Sequence, residues 1–145
     1  MPKLTIIVGH VLDALQKIPP QTIDTIVTSP PYYKLRIYGK EAVVKWPDGW
    51  EGELGQEPNH EMYIDHLLMV TKRLKIALKN SGCMFWNMGD SYGGVTSMED
   101  PKRRFRGVKM VRKDIPEKSL GLIPFKFAMR MVYEQGWILL SLIHI

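Results

Sequence analysis

Ile23 to Thr28, Ile-Asp-Thr-Ile-Val-Thr, is a β-branched run that breaks off against Ser29-Pro30-Pro31-Tyr32-Tyr33. Two consecutive prolines have no N–H to give to a sheet, so a strand must end there, and the turn that follows has two φ angles already fixed. A second short apolar run, Leu4 to Val8, stops at Gly9, and between the two Val11, Leu12, Leu15 and Ile18 recur at helical spacing until Pro19-Pro20. The order is strand, helix, strand.

The alternation continues. Asn59 is placed to cap a helix in which Tyr63, Leu67, Val70, Leu74 and Ala77 share one face. Asn80-Ser81-Gly82 is expected to stop it, and Cys83 to Met88 to form a third, buried strand that delivers Gly89-Asp90 at its C-terminal end. Pro124 suits the first turn of a last helix with Phe125, Ala128, Met129 and Val132 on one face, Gly136 as its stop and Trp137 to Ile143 as a fourth strand. Strands alternating with helices predict an α/β fold: a parallel-rich sheet with helices on both faces, which binds ligands at the C-terminal ends of its strands. Ser29-Pro30-Pro31-Tyr32 and Asn87-Met88-Gly89-Asp90 both leave strands at that edge.

Two long loops interrupt the pattern. Residues 34–58 carry Tyr38, Trp46 and Trp50, read as loop packing rather than base stacking, and residues 91–117 carry Lys102, Arg103, Arg104, Arg106, Lys109, Arg112 and Lys113. The second loop holds much of the excess of 20 basic over 15 acidic side chains, a balance that permits a polyanionic partner, with phosphate tracking and a solvated loop as its two readings. The 145 residues fit one domain. With one cysteine, Cys83, neither an internal disulfide nor a thiolate metal site is expected, and His60 and His66 lack a third ligand at metal spacing. No apolar run reaches membrane-span length, and a cytoplasmic location is expected.

The proline pair presents carbonyl oxygens with no competing donor, which suits a group with hydrogens to give. Ser29 hydroxyl and the Pro30 carbonyl can each accept one hydrogen from an exocyclic amine, holding its otherwise conjugated lone pair toward an electrophile. Tyr32 offers a flat face on which a base taken out of a helix can stack. Such chemistry needs neither a cysteine nucleophile nor a metal, and its power comes from positioning.

Thr28-Ser29-Pro30-Pro31-Tyr32-Tyr33 resembles the catalytic motif of the amino-methylating DNA methyltransferases, in the serine form typical of the N4-cytosine enzymes. Trp46-Pro47-Asp48-Gly49-Trp50, Gly55-Gln56-Glu57-Pro58, the helix around Tyr63, Asn87-Met88-Gly89-Asp90-Ser91-Tyr92 and the unit from Gly121 to Trp137 are similar to blocks those enzymes show in this order. The resemblance implies a partial Rossmann-like methyltransferase fold and S-adenosyl-L-methionine as methyl donor. Its implied substrate is double-stranded DNA with a flipped base, cytosine N4 ahead of adenine N6, and a cognate restriction endonuclease is a possible partner. It further implies that Ser29 and Pro30 hold the amine, Pro31 shapes the turn and Tyr32 stacks on the base, with Tyr33, Lys102, Arg103, Arg104 and Arg106 on the DNA side.

For the cofactor, His10 stands where the family usually has an aspartate after its first strand, and Asp90 is the other candidate. The family's Phe-x-Gly-x-Gly turn occurs nowhere in these residues. In the permuted arrangement, where the catalytic motif comes first, that turn follows the fourth strand. Residues 1–145 are therefore expected to be the catalytic portion of a domain truncated at its C-terminus. A DNA-binding module without catalysis is the alternative of a different class.

Overall fold

The β-branched run forms β1 (Ile23–Thr28), which pairs in parallel with β4 (Leu78–Trp86) in a computed structural model that describes residues 3–97 and 109–143. Thr25, Ile26, Val27 and Thr28 lie opposite Cys83, Met84, Phe85 and Trp86, and the Asn87 N–H extends the ladder to the Thr28 carbonyl at 2.9 Å. The register brings both strand exits to the same end. Ser29 and Asn87 therefore leave side by side.

Helix α1 (Val11–Gln16) precedes β1 and packs on α2 (His60–Ala77), which lies between β1 and β4 in the chain together with two short antiparallel strands, β2 (Val44–Lys45) and β3 (Glu51–Gly52). Asn59 caps α2 as expected, its side chain accepting the Met62 N–H at 2.8 Å. Helix α3 (Ile123–Gln135) ends at Gly136, whose φ of +66° is the left-handed conformation that glycine adopts without steric cost. Tyr63, Ile64, Leu67 and Leu68 of α2 meet Ile123, Phe127 and Met131 of α3 in the main core, with Tyr33 and Ile115. Met84 and Trp86 pack onto that cluster, with Trp86 and Phe127 ring centroids 5.1 Å apart. Leu12, Trp46 and Val70 form a second cluster where α1, the first long loop and α2 meet.

Several expectations need correction. Helix α2 gives way to β4 at Leu78 without a turn, and Asn80-Ser81-Gly82 lies inside the strand. Gly82 serves close approach, since a Cβ there would sit 2.8 Å from the Asp24 carbonyl on β1. Cys83 is exposed rather than buried, because strand alternation turns Met84 and Trp86 to the helices and Cys83 and Phe85 away from them. Leu4–Val8 and Trp137–Ile143 are not strands, and Leu4, Ile6, Val8 and Ile138 are exposed. Apolar, β-branched composition does not supply the neighbour whose hydrogen bonds define a strand, and the described partner of β1 is β4. The loop 91–117 is not wholly irregular: β5 (Gly94–Ser97) pairs antiparallel with β6 (Lys109–Arg112). Lys102, Arg103, Arg104 and Arg106 lie outside the described residues. Among the described residues, no helix is long and apolar enough to cross a membrane.

Candidate active site

Each residue of the turn after β1 is held by a different part of the chain. Tyr63, fully buried on α2, donates its hydroxyl to the Pro31 carbonyl at 2.7 Å. The Leu35 N–H reaches the Tyr32 carbonyl at 3.3 Å, and Ser91 Oγ donates to the Tyr33 carbonyl at 2.7 Å. With Thr28 taken by Asn87, the carbonyls of Ser29 and Pro30 are the two in this stretch without a partner among the described residues. Ser29 itself is exposed, and its hydroxyl lies 3.3 Å from the Tyr32 hydroxyl. The turn thus offers a serine oxygen beside an unengaged carbonyl, the acceptor pair that a primary amine requires.

The Tyr32 ring is half-buried against Gly89 of the other strand exit. A Cβ at Gly89 would stand 2.7 Å from the ring, so only glycine admits the tyrosine in this position. Behind the turn sits Gly55, with φ of +91° and its α-carbon against the Tyr32 carbonyl and the Pro31 ring. Two strand ends, one helix and one loop therefore converge on four residues.

Tyr33, expected on the DNA side, is turned into the core. It is fully buried, and its hydroxyl donates to both oxygens of Asp114 at 3.1 Å. Burial, then the Asp114 charge, pushes this phenol up. The chain turns at Tyr33–Leu35, closed by the Leu35 N–H on the Tyr32 carbonyl, and this carries the Tyr33 ring inward to Asp114 while Tyr32 stays at the strand exit. Asp114 also accepts the His60 backbone N–H and faces His60 Nδ1, each at 2.6 Å, tying the end of the second loop to the start of α2. Arg112, nearly buried, reaches the Lys34 carbonyl at 2.6 Å from the same segment.

Residues 1–145 match the DNA methylase family model over positions 23–145. The chain belongs to this family of amino-methylating DNA methyltransferases. Type II methyltransferase M.SmaI of Serratia marcescens is 34% identical over 141 residues, covering 92% of this chain and 44% of that protein. M.SfiI of Streptomyces fimbriatus is 30% identical over 137 residues, covering 94% of this chain and 29% of its own length. The PvuII DNA methyltransferase, described as cytosine-N4-specific, superposes with a TM-score of 0.54 at 21% identity, covering 89% of this chain and 33% of that one. This methylase chain thus has the Rossmann-like α/β fold of the family in part, and it spans less than half the length of these relatives.

S-Adenosylmethionine is the methyl donor used by this family. The two residues expected to meet it do not make a site on their own. Asp90 accepts three backbone N–H groups, from Ser91 at 2.8 Å, Leu122 at 2.9 Å and Ile123 at 3.1 Å, and so caps the start of α3. His10 lies edge-on to Trp46, ring centroids 5.1 Å apart, with its Nε2 buried and without a partner among the described residues. That orphaned nitrogen is one polar atom beside an apolar cluster, and the residues present do not fit the whole cofactor.

Sequence reasoning missed what supports the turn. Tyr63 reads as one more apolar position on a helix face, and nothing local marks its hydroxyl. Asp114 has partners 81 and 54 residues away, and the Glu57–His66–Asp48 contacts join a loop to a helix face at separations of nine and 18 residues that no periodicity marks.

Proposed function

We propose that this methylase chain forms the target-base portion of an S-adenosylmethionine-dependent DNA methyltransferase acting on an exocyclic amino group, cytosine N4 in preference to adenine N6. The observation that carries the reading is the exposed Ser29 Oγ, in contact among the described residues only with the Tyr32 hydroxyl at 3.3 Å, beside the unengaged Pro30 carbonyl, on a turn where the carbonyls of Thr28, Pro31, Tyr32 and Tyr33 are taken. Each accepts one hydrogen of the amine, which pulls the nitrogen out of conjugation and fixes the direction of its lone pair. The Tyr32 face supports the ring of the extruded base. Ordering these groups before reaction removes orientational entropy from the barrier. The serine at the head of the motif, and the PvuII enzyme's stated specificity, support cytosine.

Double-stranded DNA is the proposed partner, with Lys102, Arg103, Arg104 and Arg106 contributing phosphate contacts. His10 and Asp90 are proposed to stand near the cofactor as boundary residues, with its glycine-rich turn supplied elsewhere in the functional protein. A restriction endonuclease of the same recognition sequence is the proposed biological counterpart, in line with the Type II names of the relatives, and the cytoplasm its proposed location.

The test is transfer of tritium from methyl-labelled S-adenosylmethionine to duplex DNA, with the nucleosides resolved afterwards. Label in N4-methylcytosine is the expected result, and label in N6-methyladenine reassigns the base. Salt-sensitive DNA binding without transfer refutes the transferase reading in favour of a binding module. Ser29→Ala should cut transfer by about 10²–10³, the scale of losing one preorganised hydrogen-bonding group at a reacting centre, while DNA affinity stays unchanged.

A further inference from the structure

Glu57 is fully buried, 25 residues after the turn's Tyr32, and both its oxygens are engaged. Oε2 accepts the Gly55 N–H at 2.8 Å, and Oε1 faces His66 Nδ1 at 2.9 Å. The His66 ring, also fully buried, stacks 4.0 Å from Trp46 and 5.2 Å from Trp50, and its Nε2 meets Asp48 Oδ2 at 3.0 Å. Asp48 thereby draws the Trp46–Trp50 turn onto α2. On the other side, the Gly55 carbonyl accepts the Lys34 N–H at 2.7 Å, while the Lys34 ammonium donates to the Gln56 carbonyl at 2.9 Å. Gly55 touches the Tyr32 carbonyl so closely that a Cβ would lie 2.8 Å from it. A chain of direct contacts therefore runs from α2 through His66, Glu57 and Gly55 to the back of Pro31–Tyr32.

We propose that Glu57 is a positioning residue of the amine-holding turn: its carboxylate fixes Gly55 behind Pro31–Tyr32 and ties that wall to α2 through His66, so its ionisation governs how Ser29 and Pro30 are presented. The role rests on the base-holding reading of that turn. A carboxylate accepts from Gly55 and His66 together, whereas a protonated carboxyl keeps one acceptor for Gly55 and must donate to His66 Nδ1, which loses the charge-assisted bond and reverses the imidazole tautomer. The groups facing it are His66, with Asp48 beyond, and Lys34, Tyr33 and Tyr63 around it. Burial pushes the Glu57 carboxyl up, against the hydrogen bond from His66. Loss of the carboxylate's grip therefore begins at a pH higher than for a solvated glutamate.

Glu57→Gln separates charge from packing. Its amide oxygen can serve Gly55 and its NH2 can serve His66 Nδ1, provided the imidazole moves its proton to Nε2 and donates to Asp48. The variant is therefore expected to fold with every hydrogen bond kept and the titration removed.

The full chain, ¹⁵N-labelled, is titrated from about pH 8.5 down towards the solvated glutamate value of about 4.3, as far as it stays folded, and the amides of Gly55, Lys34 and Tyr32 are followed. The expected result is one shared midpoint for all three, absent from all three in Glu57→Gln. Deoxycytidine monophosphate, added as the base probe, should perturb Ser29 and Tyr32, with affinity about tenfold weaker below that midpoint, the equivalent of one charge-assisted hydrogen bond. In Glu57→Gln that affinity should no longer depend on pH across the same range. Titration of Gly55 alone, with Tyr32 and Lys34 unmoved, overturns the proposal, as does a shared transition that survives Glu57→Gln. Should that variant not fold, Asp48→Asn serves, since its side chain is 32% exposed; an unmoved midpoint there overturns the proposal equally. Failure of the nucleotide to perturb Ser29 and Tyr32 refutes the base-holding reading instead, and the shared amide midpoint still decides the link from Glu57 to the turn.

Discussion

Tyr63→Phe removes one oxygen from the fully buried wall beneath the turn and leaves everything else in place. The hydroxyl donates to the Pro31 carbonyl at 2.7 Å, and its ring lies 5.6 Å from that of Tyr33 in the main core. Burial pushes the phenol up, so the group is a donor throughout the neutral range. A typical intramolecular hydrogen bond contributes about 0.5–1.5 kcal/mol net, and a half-buried carbonyl left without its donor adds part of a desolvation cost of about 1–3 kcal/mol. The expected loss is about 1–2 kcal/mol. Urea denaturation reads this directly: with a slope of about 2 kcal/mol per molar, the midpoint should fall by about 0.5–1 M with the slope unchanged. The variant also restores the Pro31 carbonyl as a rival acceptor beside Pro30, so nucleotide affinity at the turn should drop along with stability. A midpoint displaced by less than about 0.2 M would refute the claim that this bond holds the turn.

Asp90→Ala strips an acceptor from three backbone N–H groups at the start of α3 and is expected to cost about 2–3 kcal/mol in the same urea experiment, more than an ordinary helix cap. Gly89→Ala should leave stability within about 1 kcal/mol, since its φ is not left-handed, yet displace the Tyr32 ring that stands 2.7 Å from the new Cβ; ring-current shifts at Gly89 and Tyr32 check this. Acid should loosen the tie between the second loop and α2. Partial burial of Asp114 pushes its carboxyl up, but the hydrogen bonds from His60 and Tyr33 outweigh this and hold it below the usual carboxylate range. A depressed folded value means that this stability is present above the unfolded value of about 3.9 and is lost as pH falls through the folded one, and Asp114→Asn should flatten that limb of the stability curve.

The local signals in the sequence were read correctly where the physics is local. The Asn59 cap, the Gly136 stop and the proline pair that ends β1 act on neighbours within a few residues, and each appears where expected. The misreadings have one cause. Gly82 punctuates a helix in sequence terms but admits a neighbouring strand in space, and Leu4–Val8 has the composition of a strand without a partner to define it. Tyr33 is expected on the DNA side beside the motif, whereas the turn at Tyr33–Leu35 carries its ring into the core. The role of His66 is not legible in the sequence either, because its two partners, nine and 18 residues away, are carboxylates that use it as a bridge.

The same division explains how the acceptor pair comes to be selective. Pro30 and Pro31 remove two donors from the turn, and that much is written in the sequence. They do nothing about competing acceptors, since Thr28, Pro31, Tyr32 and Tyr33 all bring carbonyls into the same few ångströms. Those are silenced by Asn87 just beyond β4, Tyr63 from α2, Leu35 from the turn itself and Ser91 from the second strand exit. An amine arriving at this edge therefore meets the unengaged carbonyls of Ser29 and Pro30, with the Ser29 hydroxyl beside them, because other residues have occupied the alternatives. The proline motif makes the platform rigid, and tertiary packing makes it specific. A proline pair placed on a surface loop without a Tyr63 or a Ser91 beneath it would share the motif and lack the chemistry.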